Sequence, residues 1–567
     1  MSGSEELVYV ALGGAGEIGM NFYCYGFGEP KKRRWLIVDC GVTFGDMASA
    51  PGVDLVMADI DFIAAERKRI EGIVITHAHE DHVGALGRLW PRLKAPIYAT
   101  RFTAAIAKRK LEENGVGADN LTVLEPHQRQ KIGAFDVSFF PVTHSVPEAM
   151  AAVIRTPLGT VFHTGDFKLD EAPLIGPPTD EAGLAKLGEE GVLALACDST
   201  NVFEEGRAGS EESVRPGLAQ VMNDCEGAVA CTTFASNVAR LRTIAEVAQE
   251  NGRSVVVAGR AMKRMIDAAL ETGAIPDFPE QIDEDRAAEL PARHVCYLLT
   301  GSQGEPRAAL GRVSTDSHPS VSLAAGDLVV YSSRTIPGNE REVHRVYNRL
   351  SERGVRVIDA DHANIHVSGH GYRDEMATMY RLLRPVISLP IHGEHRHLTE
   401  HARLAPGWGA ERAIVAPNGK MVRLAGGGDG AESPTIIEDV DAGRDYLDGE
   451  TMVGALDGVI RSRLRLARQG HVTIVLVVDE EGELIADPEI RVIGAPEDGD
   501  GWPSPLSEMI EEVVDAAVEK MSARDRRSDK QIQETAIGAC RKLCDRRWGK
   551  KPEVTAVVVR LEEDDED

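Results

Sequence analysis

The segment Gly72–Leu86, GIVITHAHEDHVGAL, constrains the fold and chemistry of this chain more than any other. An apolar run typical of a buried strand leads directly into His77, His79, Asp81 and His82. Residues separated by one position lie on the same side of an extended segment, so the first two histidines can bind one ion. The adjacent aspartate and histidine then point elsewhere, as a second metal a few ångströms away requires. Imidazole and carboxylate groups are zinc ligands, and the pattern therefore predicts a two-metal catalytic site.

Three further candidate ligands follow apolar runs elsewhere in the chain. His144 comes after VSFFPVT, Asp166 after TVFHTG and His392 after VISLPI. Each of them alone would more often be a polar residue satisfied within the core. Together with the first cluster, however, they complete two coordination shells.

The order of strand-like and helix-like segments predicts an α/β protein with several domains. Short strands dominate the first 200 residues or so, and helices alternate with strands from about 210 to 360, which indicates βαβ units and a parallel sheet. A Gly- and acid-rich break opens with AGGGDGAESP, and a further α/β pattern follows it. The predicted divisions are a first domain in two parts, 1–208 and 361–430, an inserted domain at 209–360, a linker at 431–450 and a C-terminal α/β domain at 451–567.

Composition and charge exclude several other classes of protein. The apolar runs fall short of the roughly 20 residues that a membrane-spanning helix needs, and MSGSEELVYV does not resemble a secretory signal. The eight cysteines form no CxxC pair and are interpreted as reduced thiols, so we expect a cytoplasmic protein. The net charge of −27 argues against nonspecific binding to nucleic acid, although a binding groove is a local feature.

The ligand pattern resembles the metallo-β-lactamase superfamily and, within its β-CASP nucleases, the bacterial ribonuclease J family. The matching stretches follow in order over about 320 residues: THAHEDHVGAL (76–86), PVTHSVPEA (141–149), HTGDFK (163–168), CDSTN (197–201), TTFASNVAR (232–240), TGSQGEP (300–306), IPGNE (336–340), IHVSGHG (365–371) and PIHGEHRHL (390–398). This resemblance implies an αββα metallo-β-lactamase sandwich that is split by an inserted α/β β-CASP domain and followed by a small C-terminal α/β domain.

The resemblance also implies the roles of the site residues. Two zinc ions, which manganese or magnesium replaces in vitro, would be bound by His77, His79 and His144 on one side and by Asp81, His82 and His392 on the other, with Asp166 as the bridge. The residues assigned to catalysis are Asp81, Asp198 and His370. His370 would protonate the leaving 3′ oxygen, and Asp198 would orient His370. A water or hydroxide between the metals would attack the phosphate.

A second group of residues is implied to bind RNA. His366, Val367, Ser368, Gly369 and His370 resemble a pocket for a 5′-monophosphate, and their position before a helix-like segment independently indicates an anion site. Phosphate contacts are expected at Ala235, Ser236, Asn237 and Ser302. An RNA channel is expected along cations of the inserted domain: Arg240, Arg242, Arg260, Lys263, Arg264, Arg307, Arg312 and Arg334. The basic run RKLCDRRWGKK (541–551) is interpreted as a solvated helix face in preference to a second RNA site.

These observations predict a metal-dependent ribonuclease that digests single-stranded RNA from the 5′ end, prefers a 5′-monophosphate, also cleaves internally, and acts in mRNA decay and rRNA 5′-end maturation. We expect a homodimer or homotetramer, partners in RNA degradation and no membrane association. A β-CASP DNA nuclease is the first alternative, but such enzymes replace the last histidine with an apolar residue, and His392 is present. Small-molecule hydrolases lack the insert of roughly 150 residues. An inactive RNA-binding scaffold would have lost metal ligands, and all seven are present.

Overall fold

The computed structural model describes residues 4–336, 338–428 and 432–561. The chain folds into two compact units, which are described separately. The first comprises the described parts of Met1–Thr43 and Val56–Arg444, and the second comprises Phe44–Leu55 and the described part of Asp445–Asp567. None of the helices in the described ranges is both long and apolar enough to cross a membrane.

Two large sheets face each other in the first unit. The first sheet has eight strands, in the spatial order Thr435–Asp439, Lys420–Gly426, Glu6–Gly13, Phe22–Gly28, Arg34–Val38, Ile70–Val74, Ile97–Ala99 and Leu121–Val123. The second has seven, in the order Gln130–Ile132, Phe135–Pro141, Met150–Thr156, Gly159–His163, Ala194–Asp198, Ile387–Ile391 and Arg412–Ala413. Apolar side chains of both sheets form one continuous core, to which Glu6–Gly13 contributes the alternate residues Leu7, Tyr9 and Ala11.

Helices cover the outer faces of this sandwich. The helices that follow or precede the strands of the first sheet are Asp61–Ala65, Glu80–Val83, Leu86–Leu93 and Arg101–Glu113. Those that belong to the second sheet are Glu181–Glu190, Arg373–Leu383 and His395–Trp408, and they pack on one another and on Ala194–Asp198 and Ile387–Ile391. The predicted αββα arrangement is therefore confirmed.

A five-stranded, entirely parallel sheet forms the inserted part. Its strands lie in the order Ser254–Ala258, Val295–Leu299, Val229–Thr232, Leu328–Tyr331 and Arg356–Ile358. The helices of this part are Arg215–Asn223, Val238–Glu250, Arg260–Thr272, Glu284–Ala288, Ala309–Ser314 and Glu340–Glu352. Separate apolar clusters cover the two faces of the sheet, as a parallel sheet requires.

The second unit is a small α/β fold. Its main sheet has the order Glu489–Ile493, His471–Val478 and Glu553–Arg560. Alternate residues of the central strand are buried, because only one face of this sheet packs against helices Leu506–Glu519 and Asp529–Trp548. The remaining elements described in this unit are the hairpin of Arg444–Asp448 with Thr451–Gly454 and the helices Val459–Gln469 and Ala523–Arg526.

The structure differs from the predicted domain divisions in two places. The segment interpreted as a linker, 431–450, contains the strand Thr435–Asp439, which pairs with Lys420–Gly426, and the strand Arg444–Asp448. Its Gly- and acid-rich composition concealed both strands, of which Thr435–Asp439 lies at the edge of its sheet. The loop Phe44–Leu55, assigned to the first domain, instead belongs to the C-terminal unit, where the Asp54 N–H donates to the Leu447 carbonyl at 2.9 Å.

Candidate metal centre and active site

The predicted metal ligands converge because their strands end at the same edge of the sandwich. The strands Gly159–His163, Ala194–Asp198 and Ile387–Ile391 are parallel neighbours, so their carboxyl ends lie side by side. Asp166 follows the first of them, Asp198 ends the second and His392 follows the third. The motif after Ile70–Val74 reaches the same point, with His79 at the N-cap of helix Glu80–Val83.

The first cluster consists of His77, His79, His144 and Asp166. His79 Nδ1 lies 3.1 Å from His77 Nε2 and 3.1 Å from His144 Nε2. Asp166 Oδ2 lies 3.6 Å from His77 Nε2 and 3.8 Å from His144 Nε2. Ligands about 2.0 Å from a tetrahedral zinc ion lie about 3.3 Å from one another. The four donor atoms are therefore spaced as a single bound ion requires.

The second cluster consists of Asp81, His82, Asp166 and His392. His82 Nε2 lies 3.2 Å from Asp166 Oδ2 and 3.5 Å from Asp81 Oδ2. His392 Nε2 is 3.6 Å from Asp166 Oδ2 and 3.7 Å from Asp81 Oδ2. Asp166 thus belongs to both clusters, and its buried Oδ1 has no hydrogen-bond partner among the described protein atoms. A buried carboxylate oxygen without a partner is costly unless an ion occupies the space beside it, so the residues present fit two metals.

Hydrogen bonds on the far side of three histidine rings fix the orientation of the rings. His144 Nδ1 lies 2.6 Å from the Gly369 carbonyl, His82 Nδ1 lies 2.8 Å from the Asp39 carboxylate and His392 Nδ1 lies 2.9 Å from Asn21 Oδ1. Since these oxygens only accept, each Nδ1 carries a proton and each Nε2 is turned towards the other candidate ligands. Asn21 Nδ2 also lies 2.9 Å from His82 Nε2.

Asp39 and Asn21 were missed by the sequence analysis. Asp39 follows the apolar strand Arg34–Val38, which is the signal that identified the other candidates, so it could have been found. Nothing local distinguishes Asn21, because its contacts are with residues remote in sequence.

Burial controls the protonation of the first cluster. It lowers the pKa of His79 to about 4 and holds the pKa values of His77 and His144 well below their ordinary range. These imidazoles are therefore neutral, as metal ligands must be. Burial also opposes a charge on His82, but the nearby carboxylates of Asp166, Asp81 and Asp39 outweigh it and raise the pKa of His82. The cluster around Asp166 is thus arranged to hold positive charge.

His370 and Asp198 form a separate hydrogen-bonded pair beside the two clusters. His370 Nδ1 lies 2.7 Å from Asp198 Oδ2, and Asp198 Oδ1 accepts from the Thr200 N–H and hydroxyl, each at 2.8 Å. Burial opposes a charge on His370, but Asp198 and Asp166 outweigh it and raise the pKa of His370 to about 9. The imidazole is 22% exposed, so it is a protonated group within reach of a ligand.

The loop that carries His370 is held by the sandwich. Asn201 Nδ2 donates to Ser368 Oγ at 2.8 Å and to the His370 carbonyl at 3.0 Å. A Cβ atom on Gly369 would lie 2.9 Å from His144 Cε1, so only glycine fits between the loop and this candidate ligand. His366 lies at the start of the loop, 3.3 Å from Arg240, and burial together with this arginine lowers its pKa to about 3.

Two expectations about RNA contacts require correction. Arg240 is fully buried and paired with Glu211, so it does not line a channel. Helix Arg373–Leu383 carries Asp374 in its first turn together with Glu375, which accepts hydrogen bonds from the N–H groups of Tyr372, Leu169 and Ala208. The start of this helix is therefore not the anion site, and any phosphate donors lie in the loop before it.

The other expected contacts are in the inserted part. Asn237 is buried, and its side chain caps helix Val238–Glu250 by accepting from the Arg240 N–H at 2.9 Å. Ala235 and Ser236 precede this helix and are half-buried, whereas Ser302 is buried. Among the cations, Arg242 pairs with Glu246 and Asp277, Arg264 with Glu113 and Arg334 with Glu204.

The fold and the clustered ligands define a metal-dependent hydrolase of the metallo-β-lactamase superfamily. Family models match the chain in four consecutive segments, which are described as the metallo-beta-lactamase superfamily (27–210), the ribonuclease J beta-CASP domain (226–350), the Zn-dependent metallo-hydrolase RNA specificity domain (355–412) and the ribonuclease J C-terminal domain (458–561). These matches indicate a metal cofactor and an RNA substrate.

Curated relatives resemble the chain over nearly its whole length. Ribonuclease J of Sinorhizobium meliloti is 44% identical over 99% of this chain and 98% of its own length. Ribonuclease J of Thermus thermophilus is 33% identical over 98% of this chain and 95% of its own length. That of Corynebacterium glutamicum is 34% identical over 97% of this chain and 75% of its own length. The chain belongs to the ribonuclease J family.

Proposed function

We propose that this chain is a two-zinc ribonuclease that degrades RNA from the 5′ end and prefers a 5′-monophosphate. Its membership of the ribonuclease J family makes it a hydrolytic ribonuclease. The observation that carries the finer proposal is the pair of four-residue clusters that share Asp166, a buried carboxylate with one unpartnered oxygen.

His77, His79 and His144 would hold one zinc and Asp81, His82 and His392 the other, with Asp166 between them. Two such ions supply a nucleophilic hydroxide at neutral pH and charge stabilisation for the attacked phosphate. The protein keeps His77, His79 and His144 neutral by burial. Asp39, Asn21 and the Gly369 carbonyl fix the orientation of His82, His392 and His144, respectively.

His370 would donate a proton to the leaving 3′ oxygen. Its raised pKa keeps it protonated at neutral pH, and the hydrogen bond from Nδ1 to Asp198 leaves Nε2–H as the donor. Asp198 is itself fixed by Thr200, so the pair is held rigidly before substrate binds. A positioned acid of this kind contributes roughly 10²–10⁴-fold to the rate.

The segment His366–His370 would bind the 5′-terminal phosphate. Its support is the attachment of this loop to the catalytic centre through His144 and Asn201, which places polar loop groups next to the proposed acid. Ala235, Ser236, Asn237 and Ser302 would contact the RNA through their backbone and small side chains. A 5′ phosphate held at a fixed distance from the metals would favour stepwise release of mononucleotides over internal cleavage, which we propose as a secondary activity.

The C-terminal unit would support a homodimer or homotetramer. One face of its three-stranded sheet packs on helices, and the other carries Val557 and Val559, each 41% exposed, together with Ile493, 55% exposed. An exposed apolar sheet face of this kind suits contact with a second copy of the chain. All eight cysteines are buried free thiols, which supports a reducing, cytoplasmic location for an enzyme of mRNA decay and rRNA 5′-end maturation.

The test compares RNAs of one sequence that carry a 5′-monophosphate, a 5′-triphosphate or a 5′-hydroxyl, each with a label at the 5′ or the 3′ end. We expect 5′ mononucleotides, released fastest from the monophosphate and abolished by a chelator. Internal fragments that form at equal rates from all three would refute the end pocket. Cleavage of DNA in preference to RNA, or of neither, would refute the proposed activity in favour of a DNA nuclease or an inactive scaffold.

A further inference from the structure

The C-terminal unit has a surface groove where two of its helices end. Helix Val459–Gln469 stops at Gly470 and helix Asp529–Trp548 stops at Gly549, two glycines with positive φ. Lys550 Nζ, just beyond the second helix, donates to the carbonyl of Arg468 in the first at 3.1 Å and ties the two ends together. The groove between them has a volume of about 650 Å³ and is lined by residues 467–469, Asp545 and residues 549–551.

The groove, called the basic groove below, is surrounded by positive charge, whereas the protein as a whole has a net charge of −27. Eight exposed cations lie in the groove, on helix Val459–Gln469 or in the last two turns of helix Asp529–Trp548: Arg461, Arg465, Arg468, Lys542, Arg546, Arg547, Lys550 and Lys551. Two of them have carboxylate partners, since Lys551 pairs with Asp545 at 3.4 Å and Arg465 with Glu553 at 3.5 Å. The other six make no ion pair with any carboxylate in the described ranges. The local potential is therefore positive and largely uncompensated.

Helix stabilisation explains only part of this charge. Cations in the last turn of a helix interact favourably with its dipole, which accounts for Arg468, Arg546 and Arg547. Arg461, however, lies in the first turn of its helix, where a positive charge opposes the dipole. Lys551 lies outside the helices altogether, whereas Lys550, also outside them, caps a last-turn carbonyl of the first helix. A ligand that gathers all of these charges is the simpler explanation.

The lining of the groove favours a phosphate chain over a protein partner. Apart from the aliphatic stems of its long side chains, Ala467 is the apolar residue among those that line it. Protein interfaces need desolvated aromatic or aliphatic anchors, whereas phosphodiester binding needs spaced cations and little else. Arg461 and Arg468 are seven positions apart, which is about 10 Å of helix and enough for roughly two nucleotides of an extended strand.

We propose that the basic groove is a second binding site for single-stranded RNA, which holds the substrate by its phosphates in addition to the contacts of the catalytic centre. The sequence-based interpretation of 541–551 as a merely solvated face is replaced by this assignment. The inference rests on RNA being the substrate, and it predicts that long RNAs bind more tightly than RNAs that reach only the active site.

The test measures binding of labelled, cleavage-resistant phosphorothioate RNAs of 6 and 30 nucleotides to the full-length, metal-loaded protein at several salt concentrations. The groove variant is Arg468→Glu/Lys550→Glu, with Arg468→Ala/Lys550→Ala as a milder pair. The matched control is Lys520→Glu/Lys530→Glu, which changes two exposed lysines of the same unit by the same charge. Circular dichroism of every variant verifies folding.

We expect the groove variant to bind the 30-mer about tenfold more weakly at moderate salt, and to lose about 1.4 from the slope of log affinity against log salt, because two phosphate contacts are removed. The control should bind as the wild type does. Equal affinities of wild type and groove variant for the 30-mer, or equal losses in the control, would overturn the proposal. Tighter binding of polyglutamate than of RNA would overturn it in favour of an acidic protein partner. Cleavage of the unmodified 6-mer by the wild type tests the proposed function separately.

Discussion

Replacing Asp198 with asparagine should move the basic limb of the pH–rate profile to lower pH. The carboxylate lies 2.7 Å from His370 Nδ1, and asparagine can still accept that hydrogen bond through Oδ1, so the geometry is preserved while the charge is lost. The carboxylates around His370 raise its pKa from 6.5 to about 9, which corresponds to about 3 kcal/mol in favour of the imidazolium. Asp198 is the largest of the contributions that raise this pKa and, unlike Asp166 and Asp81, it is not a proposed metal ligand.

We therefore expect Asp198→Asn to lower the pKa of His370 by at least about one unit, or about 1.4 kcal/mol. A group with a raised pKa is protonated up to that pKa, so kcat of the wild type should fall only at alkaline pH, and that of the variant should fall nearer neutrality. The assay is single-turnover cleavage of a 5′-monophosphorylated RNA from pH 5.5 to 10. A basic limb at the same pH in both proteins would refute the assignment of His370 as an acid controlled by Asp198.

Three further predictions concern ligands, their supports and assembly. His79→Ala should lose bound metal and activity together, because His79 Nδ1 lies close to the donor atoms of both His77 and His144. Metal analysis and a cleavage assay check this prediction, and retention of both ions would contradict it. Asn21→Ala should weaken metal binding about 10–100-fold without unfolding the protein, because it removes the acceptor that orients His392. A chelator titration measures the loss of affinity, and an unchanged affinity would remove Asn21 from this role. Val557→Lys should dissociate the oligomer in light scattering, whereas Leu456→Lys, at a residue 94% exposed, should not; equal masses for both variants would exclude the sheet face as the interface.

The sequence predicts the candidate ligands well because each follows an apolar strand. Asp166 and His392 follow strands that flank Ala194–Asp198 in parallel, so the topology brings these two residues to one edge of the sheet. The motif at 77–82 follows a strand of the facing sheet, and His144 follows Phe135–Pro141, which pairs antiparallel with Met150–Thr156. The αββα class and the parallel inserted sheet follow from the same alternation of strands and helices. These features depend on local pattern, which a sequence displays directly.

The features that were missed depend on partners remote in the chain. Asn21 contacts His392 across 371 positions, and no local pattern marks that hydrogen bond. Arg240 has the composition of an RNA contact, yet its guanidinium is buried against Glu211, and only the tertiary structure separates a buried ion pair from a surface cation. The strand Thr435–Asp439 was hidden in a polar segment because it lies at the edge of its sheet, where half-exposed residues are tolerated.

The metal content of the purified protein tests the central claim most directly. Elemental analysis of the full-length protein, purified without chelators, should give two zinc ions per chain, and His392→Ala should retain fewer than two because it removes a ligand of the second cluster. One ion per chain in the fully active wild-type protein, or full activity after complete removal of metal, would contradict the two-metal account.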